Sequence, residues 1–448
     1  MRTIAVALVL SVMAAGSTLR AETPTYSKDV AKILHQHCAA CHRPGEVGPF
    51  PLLTYEDASK RAQFIADLAK EKVMPPWKAD VEYSHFKDVR TLSDAEIKTL
   101  VDWASGGAPR GDSKEEPAAP KFTEGWQLGE PDLILKMPES FTVHAEGKDI
   151  YRCFVIPIPI EQHKMVSAVE FRPGNRSVVH HALFFLDGLG QGKLKDRMDG
   201  GPGFESFGGP GIIPTGGLGG WAPGMSPRNL PDGTARFLKK GQDLIMQVHY
   251  HPTGKEEKDL SMVGIHFADK PVKQIISGIA VRSRDIYIKP GEKRHHVTAE
   301  SGELPVDVNA MFITPHMHML GKEIKVRAVT PTGEEIPLIW IKDWDFNWQD
   351  SYQFAAPVKL PKGSVVKLDA YYDNTAENPR NPSSPPKLVK WGEQTTDEMC
   401  LLSLQVVTEK VSDIPKLMAM RGNALGAALG GGLLRGNKLE DLKGLIKE

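Results

Sequence analysis

The chain has 448 residues, 41% hydrophobic and 25% charged, with 55 Lys and Arg against 56 Asp and Glu. That length exceeds one compact core and suits several domains. The balanced charge excludes the basic footprint of a nucleic-acid binder, and 42 Gly with 34 Pro favour turns and short strands over long helices.

Arg2 precedes an apolar run from Ile4 to Ala15, with a small-residue boundary near Ala21. This is the pattern of a secretory signal peptide over residues 1–21, in a run short for a bilayer span; an uncleaved anchor is the alternative. A periplasmic or secreted protein is expected. It should have no membrane span after cleavage, since no later stretch approaches the roughly 18 apolar residues a membrane helix needs.

Residues from about 24 to 110 read as helical. Ser27 is placed to cap a short amphipathic run carrying Val30, Ile33, Leu34 and His37 on one face. Ser93-Asp94-Ala95-Glu96 is a capping box, followed by an apolar stripe of Ile97, Leu100, Val101 and Ala104 and a stop at Gly106-Gly107. Between them lies Cys38-Ala39-Ala40-Cys41-His42. A C-x-x-C-H run is a haem c attachment site: the thiols of Cys38 and Cys41 form thioethers, and His42 supplies an axial iron ligand. A redox dithiol beside a chance His is the alternative. The sixth ligand should be Met or His, and Met74, in Val73-Met74-Pro75-Pro76-Trp77, is preferred to His35 and His37, which precede the motif on its own helix. Residues 22–112 resemble small bacterial c-type cytochromes, in which a loop Met is the usual ligand.

A polar, Pro/Ala-rich linker over 113–128 follows. Beyond it the period changes to two. Strand-like runs are Tyr151–Ile158, Ser177–Leu186, Asp243–His251, Met311–Leu320 and Val365–Tyr372, with turn signals at 331–334 and 361–363. The Gly/Pro-rich stretch from Gly200 to Gly233 reads as a surface excursion. Many short strands with such turns argue for β-sandwiches, and the length suits two, over 129–290 and 291–410. The tail, 411–448, looks helical but contains Gly430-Gly431-Gly432. The fold class expected is multidomain: a small all-α cytochrome c domain followed by two all-β jelly-roll-like sandwiches.

Three histidine groups fall in the β region: His180-His181, His249 with His251, and His316 with His318. Along a strand, residues i and i+2 share a face, so an H-x-H pair offers two imidazoles to one metal. An adjacent pair points to opposite faces, so His180 and His181 need a bulge, or different ring nitrogens, to bind together. Each pair alone is more simply a buried, hydrogen-bonded His pair. His295-His296, among Glu292, Lys293 and Arg294, reads as a solvated turn. Imidazole-rich sites with a soft thioether suit copper.

These residues resemble the ascorbate-dependent, type 2 copper monooxygenases that include peptidylglycine α-hydroxylating and dopamine β-monooxygenases. The likeness rests on the adjacent His pair, Gln247-Val248-His249-Tyr250, the H-x-H before Leu320-Gly321-Lys322, and Asp397-Glu398-Met399-Cys400. It implies an electron-storing copper on His180, His181 and His249, and an oxygen-activating copper on His316, His318 and Met399. The implied activity is C–H hydroxylation of a small molecule with O2; the family draws its electrons from ascorbate, whereas here the haem is expected to relay them from a periplasmic donor. No protein side chain is expected to be catalytic beyond the copper ligands. The peptide-anchoring positions of the family read here as Thr314, Leu401 and Ser403, which argues against a peptide substrate. A non-hydroxylating electron-transfer or copper-handling protein is the alternative, and whether Cys153 and Cys400 pair is left open.

Overall fold

The computed structural model describes residues 22–207, 209–392 and 394–424. The expected signal peptide, and the part of the expected tail beyond residue 424, lie outside the described residues. Among the described residues no helix is long and apolar enough to cross a membrane.

Two compact units are present. The first takes the described residues up to Pro75 and Thr91–Pro120; the second takes Pro76–Arg90 and the chain from Lys121 onward. In the first unit a π-helical turn, Tyr26–Val30, runs into Ala31–His37, and Tyr55–Ser59, Ala62–Lys70 and Asp94–Ser105 follow. Thr25, rather than Ser27, caps the opening turn, accepting a hydrogen bond from Lys28 N. Ser27 is instead buried. The Ser93–Glu96 capping box forms with both bonds present, and Gly106 ends that helix. Tyr26, Leu34, Leu100 and Trp103 are the buried centre of this unit.

The second unit holds four principal sheets. Residues 133–136, 262–267, 164–172, 234–238 and 274–275 lie side by side in one, and 204–205, 150–157, 243–250, 179–187 and 216–221 in the next. Val166, Val263 and Leu238 of the first sheet share one core with Phe154, Phe184 and Met246 of the second. The other two sheets run 277–283, 400–408, 308–316, 352–360 and 295–300, 365–372, 321–329, 335–341. Ile313 and Leu404 of one meet Val326, Leu338 and Leu368 of the other. Period-two patterning explains the packing: Val365–Tyr372 alternates half-buried and buried residues along its whole length. Asp243–Tyr250 is buried at every position, as befits a central strand covered on both faces.

The expected fold is therefore corrected. In place of an all-α cytochrome domain ahead of two jelly-roll-like sandwiches, the chain is mostly β, with four blade-like sheets in a propeller-like arrangement and a few short helices. The longest described helix has 12 residues. Much of the segment expected to be helical is irregular, and Pro76–Arg90 packs with the β unit. There Ala79 bridges to Ile341 and Phe86 to Phe354, so the hydrogen-bonding groups of this stretch are spent on strands rather than on a helix. Two further expectations change. Gly216–Trp221 pairs with Val179–Asp187 as an edge strand instead of forming a surface excursion. His295 and His296 open a strand, His296 bonding Asp369 at 2.9 Å, instead of a solvated turn.

Candidate metal centre

The first histidine cluster is made by an irregular ladder. Val179 pairs with Tyr250, and the next rung joins His181 to His249, so His180 is one residue too many on its strand. That is a β-bulge, a feature that re-aims side chains and recurs beside active sites. It removes the alternation that would send two adjacent histidines to opposite faces. His180, His181 and His249 bring one ring nitrogen each to within 4.8 Å of one another. His181 Nδ1 lies 3.3 Å from His180 Nδ1 and 3.3 Å from His249 Nδ1.

Burial, followed by the neighbouring His249 charge, pushes the His180 pKa down to about 4. Burial also holds His181 well below the ordinary value. Neutral imidazoles carry one bare lone pair each. His249 Nε2 lies 3.1 Å from Asp149 Oδ2, but out of line for a hydrogen bond, so the carboxylate's charge favours a proton there without a bond to fix it. Two short contacts then meet at His181 Nδ1, which carries at most one proton and cannot serve both. A cation held by all three rings would complete the set, and imidazole nitrogens are donors that copper and zinc both accept.

Asp149 stands behind the cluster. Burial alone would raise its pKa, but the nearby His249 and the bonds with Thr395 and His251 hold it well below the usual carboxylate range. A carboxylate that fixes the tautomer of a ligating His is a recurrent support in metal sites. Tyr151 adds a parallel ring against His249, centroids 4.2 Å apart. His251 points elsewhere: it is largely exposed, with its Nδ1 on Asp149 Oδ1 at 2.7 Å.

The second group is arranged differently. His316 ends the Val308–His316 strand and His318 follows it, their rings 5.0 Å apart. His316 Nδ1 bonds Gln349 Oε1, and His318 Nδ1 donates to the Asp397 carbonyl at 3.1 Å. Both Nε2 atoms are thereby left as lone-pair donors. Burial lowers both pKa values, that of His318 to about 3. Met399 is tied to them through Glu398, whose Oε2 accepts from His318 N at 2.9 Å and Met399 N at 3.2 Å, while Oε1 accepts from Leu320 N at 2.6 Å. Burial raises Glu398 to about 8 against these backbone donors. Two imidazoles suit copper, and the Met399 side chain is half-buried next to Glu398 in the chain. Met317 is fully buried in the core.

One ring touches both groups. Phe346 stacks on His180, centroids 5.4 Å apart at 15°, and meets His318 edge-on at 5.6 Å. The sequence reading missed Asp149, Gln349 and Phe346, which stand outside every motif. Glu398 lay within the Asp-Glu-Met-Cys run, and its total burial is what marks it.

In the helical unit, the turn after Ala31–His37 gathers the C-x-x-C-H residues: Cys41 N and His42 N both donate to the Cys38 carbonyl, at 3.1 and 2.9 Å. His42 Nδ1 bonds the Phe50 carbonyl at 3.0 Å, leaving Nε2 unencumbered. A Cβ on Gly48 would meet His42 Cα and Cγ at 2.9 Å, so the close approach of this loop requires glycine. Two thiols and an Nε2 are the residue types that a covalently held haem would need. Met74 is half-buried and its N–H faces the Leu68 carbonyl at 3.3 Å. His35 and His37 are engaged by the Leu53 carbonyl and Glu96. Cys153 and Cys400 are both buried and unpaired.

No protein-family model matches the chain. It is similar to MOXD1 homolog 1 of Drosophila melanogaster, 26% identical over 171 residues, covering 35% of this chain and 23% of that relative. The chain thus spans about a quarter of the length of the curated relative it matches. Solved structures with some likeness are PNGF-II, with a TM-score of 0.27 and 11% identity over 62% of this chain and 66% of that one, and the infectious bursal disease virus Gx strain, at 0.18 and 7% over 62% and 72%.

Proposed function

We propose that the protein is a copper-dependent monooxygenase that hydroxylates a C–H bond of a small molecule. The observation that carries this reading is the bulge that turns His180 and His181 together onto His249. The partial likeness to MOXD1 homolog 1, read as a dopamine β-monooxygenase-like protein, supports it. His180, His181 and His249 would hold one copper, and His316, His318 and Met399 the other. Copper, when bound, supplies one-electron redox chemistry and the activation of O2. The reaction consumes substrate, O2, two electrons and two protons, and yields an alcohol and water.

The chain's own residues prepare the sites. Asp149, with a carboxylate oxygen 3.1 Å from His249 Nε2, would favour the His249 proton there, away from the cluster. Gln349 and the Asp397 carbonyl hold His316 and His318 with Nε2 free, and Glu398 ties the Met399 backbone to that of His318. Phe346 packs against the rings of both His180 and His318. In the helical unit Cys38 and Cys41 would anchor a haem, with His42 and Met74 as its axial pair. That haem would pass electrons from a periplasmic donor to the copper sites of an exported enzyme.

The test is to load the full-length protein with copper, count the metal, and flash-reduce the haem without oxygen. Re-oxidation that requires Cu(II) is expected. Two results would sink the proposal: fewer than two coppers per chain, or O2 consumption that copper removal leaves unchanged with every reductant supplied. A haem that stays reduced with both coppers present removes the relay and leaves the copper reading standing on an external reductant.

A further inference from the structure

A cavity of about 220 Å³ opens in the second unit, with Trp77, Arg90, Arg228, Asp350, Ser351 and Tyr352 among its lining. It is smaller than the roughly 300–1,000 Å³ of drug-sized sites, so its ligand is small. One wall is aromatic: Trp77 and Tyr352 meet edge-on at 5.1 Å. The opposing charges do not balance. Asp350 is committed on both oxygens, Oδ2 to Arg90 Nη2 and Oδ1 to Ser351 N at 2.7 Å. Arg90 also donates from Nη1 to the Gly224 carbonyl at 3.0 Å. Its Nε is buried and has no hydrogen-bond partner, at a cost that a buried donor recovers only from a ligand or water. Arg228 acts on Asp350 through its charge alone and, among the described residues, makes no hydrogen bond. Lys87 and Asp88, also in the lining, add one charge of each sign. One guanidinium is therefore in excess, beside an unsatisfied N–H.

The wall continues into the candidate metal centre. Ser351 accepts a hydrogen bond from Thr314 at 2.9 Å, two residues before His316 on the same strand. Gln349, which holds His316, precedes Asp350 directly.

We propose that this cavity binds a small aromatic carboxylate, its anion on Arg228 and the Arg90 Nε and its ring against Trp77. As a substrate cavity the assignment rests on the copper reading; as a binding site it does not.

Benzoate is the probe, with benzamide as its neutral isostere, titrated calorimetrically into copper-free full-length protein. Benzoate should saturate one site per chain and bind about tenfold or more tightly than benzamide, the margin of a charge-assisted bond over a neutral one. Arg228→Leu should lose about tenfold or more of the benzoate affinity at an unchanged melting temperature, and Arg228→Lys should restore part of it. Trp77→Phe should keep binding with a smaller loss. Absence of saturable benzoate binding, equal affinity for benzamide, or an Arg228→Leu variant that titrates as wild type would overturn the assignment. Copper stoichiometry on the same preparations separates the two readings. Lost benzoate binding in a preparation that still takes up two coppers on loading sinks the cavity alone, and benzoate binding in a preparation that takes up no copper on loading sinks the monooxygenase alone.

Discussion

His181 stands at the centre of the first cluster, 3.3 Å from a nitrogen of each partner. Replacing it with Ala should lower bound copper by one equivalent, read by elemental analysis, while the second site stays filled. Asp149→Asn keeps the shape of the support but not its charge. An amide also offers its NH2 group to His249 and so favours the wrong tautomer. Copper affinity at the first cluster should fall about 10–100-fold, the usual loss when the partner of a ligating His is removed, as measured by competition with a chelator. Above pH about 8, where Glu398 is ionised, Glu398→Gln leaves one acceptor oxygen where the carboxylate receives N–H groups from His318, Leu320 and Met399. With at least one buried donor unsatisfied, a stability loss of about 1–3 kcal/mol is expected, visible in denaturant unfolding of the metal-free protein.

At the scale of the element, the bulge makes a deletion informative. Removing His180 leaves Val179 opposite Tyr250 and His181 opposite His249, a regular ladder with two donors. The metal-free deletion variant should melt near the wild-type temperature, while three-imidazole copper binding disappears from its electron paramagnetic resonance spectrum. Much at this scale is legible in the residues. The period-two run locates the strand at 365–372 because alternation is imposed by the pleat, while the strands at 150–157 and 243–250 show as short apolar runs. The Ser93 capping box is legible because its partners are three residues apart. The bulge is not, since an extra residue is defined only against a partner strand nearly seventy positions away. Nor are Asp149 and Gln349, which meet His249 and His316 only after the sheets form. The helical expectation for Pro76–Arg90 fails for the same reason: its backbone partners, such as Trp340 and Gln353, are remote in the chain.

For the molecule as a whole, a site built from two sheet strands and the segment carrying Asp149 exists only when that β unit is folded. Copper that binds the native state and not the unfolded chain should stabilise it by about 2.7 kcal/mol at a free concentration one hundred times its dissociation constant. The rise in melting temperature should be present in the wild type and smaller in His181→Ala. In the helical unit melting should be indifferent to copper, which separate calorimetric transitions would reveal.

Phe346 leans on a ring from each cluster, and this makes the two sites a single mechanical object. Drawing His180 onto an ion shifts the surface against which His318 rests, so the second ion meets a ligand already steadied or already displaced. Filling the sites should then be an interdependent process, with a curved, non-additive titration. In Phe346→Ala the two fillings should become separate events with independent constants. A wild-type titration that divides cleanly into two unrelated isotherms would show that the ring is only packing, and that the sites do not sense each other.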